Sequence, residues 1–446
     1  TTVEVNASGV YVGGYGTQGM NAVIADLGGV IARTGPAPRF DTHTPREHFT
    51  EPMFRKGTDQ RGTPFVLRFS ADLARLELGT FLEGWQSLWH VPRPLGEDHW
   101  QPVCIGLLSG GDLIVVHDAG YNRVPPEGRK ADLEDFYTMP DYVSRLSPDL
   151  RQRRWKHELM SPKIDRDLIP RFIKRDWPHE HLGNTRTFRL KVDSKDNYVV
   201  GGWSASATVA EPWWSPFLRK YDPDGRLIWS AWEVSPTSGD GRMNHQVSDA
   251  AIRSVAFDAD DNVLVSGIGD GGNSVLRRDP RDYTRDHPAF RGGELHSFRG
   301  RMLFWGQVAR LDADSRDLLG VRALGGFAAP RDDGKVSYQP AWPEDLADAG
   351  DGRIIAAGRN SLAFGTTPDA WYTGAGSFVR LYGRDLDIRF SSSLPDCRLR
   401  QLAGRDGRFA IVGEALAGKP MASGGPSTRP EGGIDGYLLV VDVMKP

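Results

Sequence analysis

Two neighbouring stretches decide the fold: TFRLKVDSKDNYVVGGW (187–203) and FLRKYDPDGRLIWSAWEV (217–234). Each contains a strand-like apolar run, a short turn rich in Asp, Asn or Gly, and a second strand-like run. Apolar and polar residues alternate beside the turns, which is the period of a half-buried strand. Asp, Asn and Gly suit the turns because they accept local hydrogen bonds and tolerate left-handed backbone. Each stretch therefore predicts a β-hairpin.

The same two hairpins recur along the chain. Copies of the first type lie at 251–267, 345–358 and 399–413, with looser copies at 3–14 and 103–118. The second type repeats a turn aspartate at an equivalent place, namely Asp72, Asp149, Asp224, Asp314 and Asp385. The two hairpins together make a unit of four antiparallel strands, and a radial array of such units is a β-propeller. We predict one all-β propeller domain over 1–446 with six blades, seven being the alternative.

Long inserts fall at the same place in the repeat, between its second and third strands. The longest are 15–64, 119–141 and 268–305. Alternate connections of an antiparallel sheet lie at opposite ends, so these inserts should decorate one end of the propeller, which is the candidate functional surface. A single strand at 436–443 is expected to lie beside the N-terminal strand at 3–7 and so close the ring.

One turn and the strand after it contain a recognisable sequence motif. Asp222, Gly225, Leu227 and Trp229 match an Asp-x-x-Gly-x-Leu-x-Trp phrase. This phrase resembles the pyrroloquinoline-quinone-type and related propeller repeats of secreted bacterial proteins. The resemblance implies a blade structure and a secreted, periplasmic or cell-surface location, but it specifies no chemistry.

The bulk composition excludes several classes of protein. A net charge of −3 argues against a dedicated nucleic-acid surface, and no apolar run approaches the length of a transmembrane helix. Two cysteines, Cys104 and Cys397, are too few for a disulfide framework, and whether they pair is left open. The quinone-dependent enzymes whose repeat motif this chain resembles commonly carry adjacent cysteines. Cys104 and Cys397 lie far apart in the sequence, so no quinone cofactor is expected.

A metal site has only an incomplete set of ligands. In WPHEHLG (177–183), His179 and His181 lie two residues apart, so both would face one side of an extended segment. Two ligands alone do not hold a zinc ion. The sequence therefore predicts no metal and no other cofactor, and these two histidines are the candidates if a metal binds.

Aromatic residues in the inserts are the main positive signal of function. The candidates for binding are Trp213, Trp214, Trp371 and Tyr372, together with Asp270 and Asn273 in the glycine-rich start of the third insert. Trp and Tyr are common anchors of protein interfaces and also stack on sugar rings. We predict a non-catalytic binding or scaffolding propeller that contacts a partner protein or a glycan, a role that suits a subunit of a larger assembly.

An enzyme is the alternative, most plausibly a polysaccharide lyase or hydrolase of propeller type. Propeller lyases use Arg to neutralise a uronate carboxylate, while His or Tyr takes the α-proton. The catalytic candidates for such a reaction are His117, Tyr121, Arg123, His245 and Arg253. No motif joins these residues, so the sequence favours the binding protein and leaves catalysis open.

Overall fold

A computed structural model describes the larger part of the chain. The described residues are 2–16, 40–42, 61–82, 86–87, 103–118, 141–159, 185–204, 215–232, 250–270, 276, 278–288, 290–291, 304–324, 328–330, 336–338, 341–360, 365–374, 376–394, 397–405, 407–416 and 434–442. Within these ranges the regular secondary structure consists of β-strands, and no helix is long and apolar enough to cross a membrane.

The first three blades follow one another along the chain. Blade 1 contains β1 (Thr2–Asn6), β2 (Gly9–Gly16), β4 (Arg61–Phe69) and β5 (Leu76–Phe81), with β3 (Phe40–Thr42) paired to β5 and β6 (Gln86–Ser87) paired to β4. Blade 2 contains β7 (Cys104–Leu107), β8 (Leu113–Asp118), β9 (Asp141–Leu146) and β10 (Arg153–Leu159). Blade 3 contains β11 (Thr185–Val192), β12 (Tyr198–Ser204), β13 (Ser215–Tyr221) and β14 (Leu227–Ala231).

The remaining blades carry two small additional hairpins. Blade 4 contains β15 (Ala250–Phe257), β16 (Val263–Asp270), β20 (Phe304–Leu311) and β21 (Leu318–Leu324), and its insert forms β17 (Arg278–Asp279), β18 (Asp282–Asp286) and β19 (Phe290–Arg291). The hairpin β22 (Ala328–Pro330) and β23 (Val336–Tyr338) precedes blade 5, which contains β24 (Ala341–Asp348), β25 (Ile354–Asn360), β26 (Gly376–Tyr382) and β27 (Ile388–Leu394). Blade 6 contains β28 (Cys397–Arg405), β29 (Arg408–Leu416) and β30 (Ile434–Asp442).

The predicted six-bladed, antiparallel propeller is confirmed. In each of blades 1–5 four strands pair in chain order, whereas blade 6 has three strands among the described residues. The expected closure by strand sharing is wrong. β30 pairs with β29 along its whole length, and β1 pairs with β2, so each strand belongs to the sheet of its own blade.

The first strand of each blade lies nearest the propeller axis. Contacts join β1 to β7, β7 to β11, β11 to β15, β15 to β24 and β24 to β28. The first strands start, and the second strands finish, at the end from which the inserts leave. We call this the insert end, and the opposite end, with the short hairpin turns, the turn end.

Aspartates hold the turns at the turn end. The Asp193 carboxylate accepts hydrogen bonds from the backbone N–H groups of Lys195 (2.9 Å) and Asn197 (2.8 Å), and Asp258 plays the same role in blade 4. Asp196 adopts a φ of 67°, a left-handed conformation that Asp tolerates better than most residues. These Asp-rich phrases are therefore explained by turn geometry.

The turns between the third and fourth strands are also stabilised by an aspartate that accepts local hydrogen bonds, in two variants. In blades 1 and 2, Asp72 and Asp149 each accept a hydrogen bond from the hydroxyl of the serine two residues before them. This bond lowers the pKa of both carboxyls. In blades 3 and 4 the accepting carboxylate lies two residues earlier than the predicted position, at Asp222 and Asp312.

A cation on the third strand links each of blades 1–4 to the next blade. The four side chains are Arg68, Arg145, Lys220 and Arg310, which donate to the backbone carbonyls of Pro148, Pro223, Ala313 and Arg384 at 2.8–3.2 Å. Lys220 also pairs with Asp193 at 2.9 Å, and both side chains are almost completely buried. The same position in blade 5 is Leu381, so this cation link ends there.

The core consists of apolar layers between consecutive blades. The layer between blades 3 and 4, for example, joins Leu218 and Trp229 to Ile252 and Val255. Equivalent layers join blades 1 to 2, 2 to 3, 4 to 5 and 5 to 6. Each blade is therefore stabilised by burying apolar area against its neighbours.

Parts of three inserts lie along the outer strands of their own blades. β3 pairs in parallel with β5, β19 pairs in parallel with β21, and the segment 365–374 hydrogen-bonds to β27. An outer strand offers unpaired N–H and C=O groups, and these segments satisfy some of them. The prediction that inserts decorate the insert end is therefore wrong for these three segments, although they all leave from that end.

Candidate functional site

A β-bulge recurs at the same place in the first strands of blades 3–6. The register shifts at Phe188, Arg253, Glu344 and Arg400. A bulge turns an additional side chain out of the regular alternation and is common beside functional sites. Here it brings charged side chains from several blades together near the axis.

Four charged side chains at or beside these bulges and one on β25 form an axial cluster: Arg189, Arg253, Glu344, Asp345 and Arg359. Arg253 Nη2 lies 2.8 Å from Glu344 Oε2, and Arg359 Nε lies 2.6 Å from Glu344 Oε1. Arg189 Nη2 lies 3.5 Å from Asp345 Oδ2. The cluster therefore spans blades 3, 4 and 5 through ion pairs.

Asp345 is held by several further donors. Its Oδ1 accepts hydrogen bonds from the Ser254 hydroxyl and from the backbone N–H of Leu346 (3.1 Å). Its Oδ2 accepts the backbone N–H of Leu402 in blade 6 at 2.9 Å. This carboxylate thus connects blades 3 to 6 and is buried among its donors.

The neighbouring charges in the cluster stabilise the charged forms of Glu344 and Arg189. Burial by itself raises the pKa of Glu344, but the charges and hydrogen bonds of Arg253 and Arg359 outweigh it and hold the pKa at about 2. Burial lowers the pKa of Arg189, but the charge of Asp345 reverses this and the pKa ends above its ordinary value. Glu344 and Arg189 therefore keep their charges at neutral pH.

Two aromatic rings make cation–π contacts with arginines of the cluster. The Arg253 guanidinium lies 4.7 Å from the ring centre of Phe188, and the Arg359 guanidinium lies 4.6 Å from that of Trp342. Such contacts fix the planes of the guanidinium groups and favour their charged state. The two rings therefore help to orient Arg253 and Arg359 toward Glu344.

The catalytic candidates are only partly described. Arg253 belongs to the axial cluster, where it binds Glu344. His117 is completely buried at the insert end of blade 2, with its ring edge-on to Tyr142 at 5.7 Å. The other three, Tyr121, Arg123 and His245, lie outside the described residues.

Of the binding candidates, Trp371 and Tyr372 are exposed, by 51% and 41%. They belong to the segment 365–374 on the outer edge of blade 5, where Trp371 contacts the ring of Phe390 at 4.7 Å. The backbone of Tyr372 donates to the Ser392 hydroxyl (3.1 Å) and accepts the N–H of Ser393 (3.0 Å). The two aromatic side chains therefore stand on a fixed backbone. We call Trp371 and Tyr372 the aromatic pair.

A buried arginine anchors the beginning of the same segment. The Arg380 side chain of β26 donates to the Gly365 carbonyl (3.1 Å) and to the Ser391 hydroxyl (3.0 Å). Thr367 then pairs with Ser391 through a 3.0 Å backbone hydrogen bond. These contacts attach the segment to blade 5 on both sides of the exposed part.

The remaining site candidates cannot be placed by their side chains. Trp213, Trp214, Asn273, His179 and His181 lie outside the described residues, and Asp270 is described only as the last backbone position of β16. Within the described part of the chain, no group of three His, Cys, Asp or Glu side chains is arranged to hold a metal ion. Cys104 and Cys397 are not joined in a disulfide, and both are buried.

Sequence reasoning missed four members of the axial cluster. One available signal is a bulky or charged residue five positions before the turn in a first strand, as at Phe188, Arg253 and Glu344. The other two members that this signal could have found, Arg189 and Asp345, are the next residues in the chain after Phe188 and Glu344. A repeated interruption of the apolar alternation at one place marks a shared bulge.

Comparisons with known proteins show similarity of structure only. No family model matches the chain, and no curated protein matches it in sequence. Similar solved structures include a luciferin-regenerating enzyme (11% identity, 90% of this chain and 88% of that chain, TM-score 0.35). BamB from Moraxella catarrhalis has 10% identity over 92% of each chain with a TM-score of 0.32. Quinohemoprotein alcohol dehydrogenase from Comamonas testosteroni has 9% identity over 80% of this chain and 61% of that chain, with a TM-score of 0.33. Similarity at this level carries no argument about function.

Proposed function

We propose that the protein is a non-catalytic binding or scaffolding propeller, located outside the cytoplasm, which uses no metal or other cofactor. The observation that carries the proposal is the aromatic pair, two large exposed side chains on a backbone that is already fixed by β27. A pre-ordered aromatic side chain loses little conformational entropy when it binds, so it supplies contact area at low cost.

The axial cluster supports binding over proton transfer. A lyase or hydrolase needs a side chain that gains or loses a proton near neutral pH. The pKa of Glu344 is held at about 2, Arg253 is paired with it, and His117 is buried away from solvent. The ion pairing of Glu344 and Arg253 and the burial of His117 support the proposal of a binding protein over an enzyme.

The position of the aromatic pair changes the proposed contact surface. Trp371 and Tyr372 lie on the outer edge of blade 5, so we place the contact there and not over the insert end. An exposed Trp beside a Tyr suits a partner protein and also the face of a sugar ring. The experiment below separates these two kinds of ligand.

The test compares the wild type with the double variant Trp371→Ala/Tyr372→Ala. Leu319→Ala is the matched control, because Leu319 is equally exposed but lies on β21 of blade 4. Immobilised protein is used to capture partners from the extracellular and periplasmic fractions of its source, and the same three proteins are applied to a glycan array. We expect one ligand whose binding the aromatic variant weakens at least about tenfold while the control binds normally.

Two results would overturn the proposal. Equal binding by all three proteins would remove the aromatic pair from the contact surface. Formation of an unsaturated product from uronate polysaccharides, followed by absorbance, would show that the protein is an enzyme.

A further inference from the structure

Each ring of the aromatic pair rests on the protein on one side and is open to solvent on the other. The indole of Trp371 leans on the ring of Phe390, with the ring centres 4.7 Å apart. The outer end of the Tyr372 ring lies against the backbone of Gly374. Since the two side chains are 51% and 41% exposed, both rings are supported and still accessible to a ligand.

Gly374 determines where the Tyr372 ring lies. A Cβ built on Gly374 would lie 2.2 Å from Tyr372 Oη and 2.4 Å from Cζ, which no side chain tolerates. The φ of Gly374 is not among the positive values of the described glycines, so the backbone there would accept an alanine. The glycine is therefore needed for the position of the ring, and an alanine would push the ring away without straining the chain.

The exposed aromatic surface is small for a protein interface. A Trp or Tyr side chain buries about 150–250 Å² when it is fully covered, so the half-exposed pair offers roughly 200 Å². A stable protein complex buries about 800 Å² on each partner. Among the described residues of blade 5, no other large apolar side chain is exposed. The area suits a smaller ligand face, such as that of one or two sugar rings.

The polar groups beside the rings favour a ligand without negative charge. Asp369 and Thr373 are both exposed on the segment that carries the aromatic pair. Asp369 is the only charged residue in GTTPDAWYTG (365–374), and its carboxylate accepts hydrogen bonds from hydroxyl groups but repels anions. Arg389, next to Phe390 on β27, is paired with Asp385 at 3.4 Å. The site therefore offers no excess positive charge to an acidic sugar.

We infer that the aromatic pair is a binding platform for a neutral glycan. The C–H face of a pyranose ring stacks on Trp371 and Tyr372, and its hydroxyl groups bond to Asp369 and Thr373. Stacking on rings that are already in place loses little conformational entropy. This inference rests on the proposed function, because it keeps the aromatic pair as the contact surface and selects one of its two ligand classes.

The first test is electrophoresis of the native protein in gels that contain xylan, mannan or a soluble β-glucan, with polygalacturonate as the acidic comparison. We expect at least one neutral polysaccharide to retard the wild type and polygalacturonate to have no effect. Calorimetry with an oligosaccharide of the retarding polysaccharide then gives the dissociation constant. Trp371→Ala and Tyr372→Ala should each weaken binding at least about tenfold, whereas Tyr372→Phe, which keeps the ring, should bind nearly as well as the wild type.

The variant Gly374→Ala tests the orientation of the ring while both aromatic side chains are kept. It should fold normally, because the atoms that must move are the end of a Tyr side chain, and it should weaken binding about as much as Tyr372→Ala. Gly110→Ala is the matched control, because a Cβ at Gly110 has open space around it. Circular dichroism and the melting temperature verify that each variant is folded. If Gly374→Ala does not fold, the comparison of Tyr372→Ala with Tyr372→Phe decides the role of the ring.

The outcomes separate this inference from the proposed function. If no neutral polysaccharide binds, but capture of a protein partner is lost in Trp371→Ala/Tyr372→Ala, the glycan is refuted and the proposed function stands. If the double variant binds both polysaccharides and protein partners as the wild type does, both proposals fail. Stronger retardation by polygalacturonate would refute the neutral ligand. Wild-type affinity in Gly374→Ala, with loss in Tyr372→Ala, would refute the positioning role of Gly374.

Discussion

Replacing Glu344 by Gln should destabilise the protein by an amount that depends on pH. Glu344 is buried between Arg253 and Arg359, and its pKa falls from 4.5 to about 2. The difference between these values corresponds to about 3.4 kcal/mol of stability at pH 7. The glutamine side chain would keep the shape of the glutamate but leave two partly buried guanidinium groups without this counter-charge. Breaking a buried ion pair in this way costs about 3–5 kcal/mol.

The sign of the pH dependence follows from the direction of the shift. The folded-state pKa lies below the unfolded value, so the contribution is present above pH 4.5 and disappears as the pH falls toward about 2. The stability gap between wild type and variant should therefore shrink from about 3.4 kcal/mol at pH 7 to about 2.6 at pH 4 and about 1.4 at pH 3.

Urea denaturation at these three pH values, followed by tryptophan fluorescence and circular dichroism, measures the gap. Glu414→Gln is the control, because Glu414 also pairs with an arginine, Arg400, but is 31% exposed. The control should lose less than about 1 kcal/mol, as exposed ion pairs do. The reasoning fails if the two variants lose equal stability at pH 7, or if the gap for Glu344→Gln does not narrow in acid.

Three further predictions concern the links between blades, the tight strands and the thiols. Lys220→Met should cost about 3–5 kcal/mol in urea denaturation, because it leaves the Asp193 carboxylate buried without its ion-pair partner. Gly202→Ala should lower the melting temperature strongly, since its Cβ would lie 1.8 Å from a backbone carbonyl oxygen, whereas Gly110→Ala, which has open space, should leave it unchanged. Burial raises the pKa of the Cys104 thiol to about 12, so a thiol reagent at pH 8 should modify it in urea but not in the native protein, and fast native labelling would contradict this burial.

The binding candidates show which properties of a site can be predicted from local sequence. The aromatic dipeptide in an insert made Trp371 and Tyr372 candidates for binding, and the structure leaves both side chains about half exposed. The place where they stand depends on Arg380 and Ser391, which hold the segment against β27 and lie in other strands. Because an insert is free to follow any neighbouring edge, its sequence does not determine which surface it joins.

The catalytic candidates show what residue type alone cannot predict, namely the environment of each side chain in the fold. His117 and Arg253 have side chains suited to proton transfer or anion binding, so residue type alone made them candidates. The structure buries His117 and pairs Arg253 with Glu344, a residue 91 positions away in the chain. The chemistry of each group is set by its neighbours in space.

The sequence by itself determined the hairpins, their turns and the repeat of four strands, since these depend on alternation over a few residues and on turn aspartates such as Asp193. The repeat in turn made the six-bladed ring predictable. Only the tertiary structure decided that the bulges of successive blades bring Arg253 and Glu344 into one ion pair, that the cation link ends at Leu381, and that blade 6 has three strands among the described residues. The physical reason is that hairpins form from contacts close in sequence, whereas the axial cluster exists only once the blades have packed around a common axis.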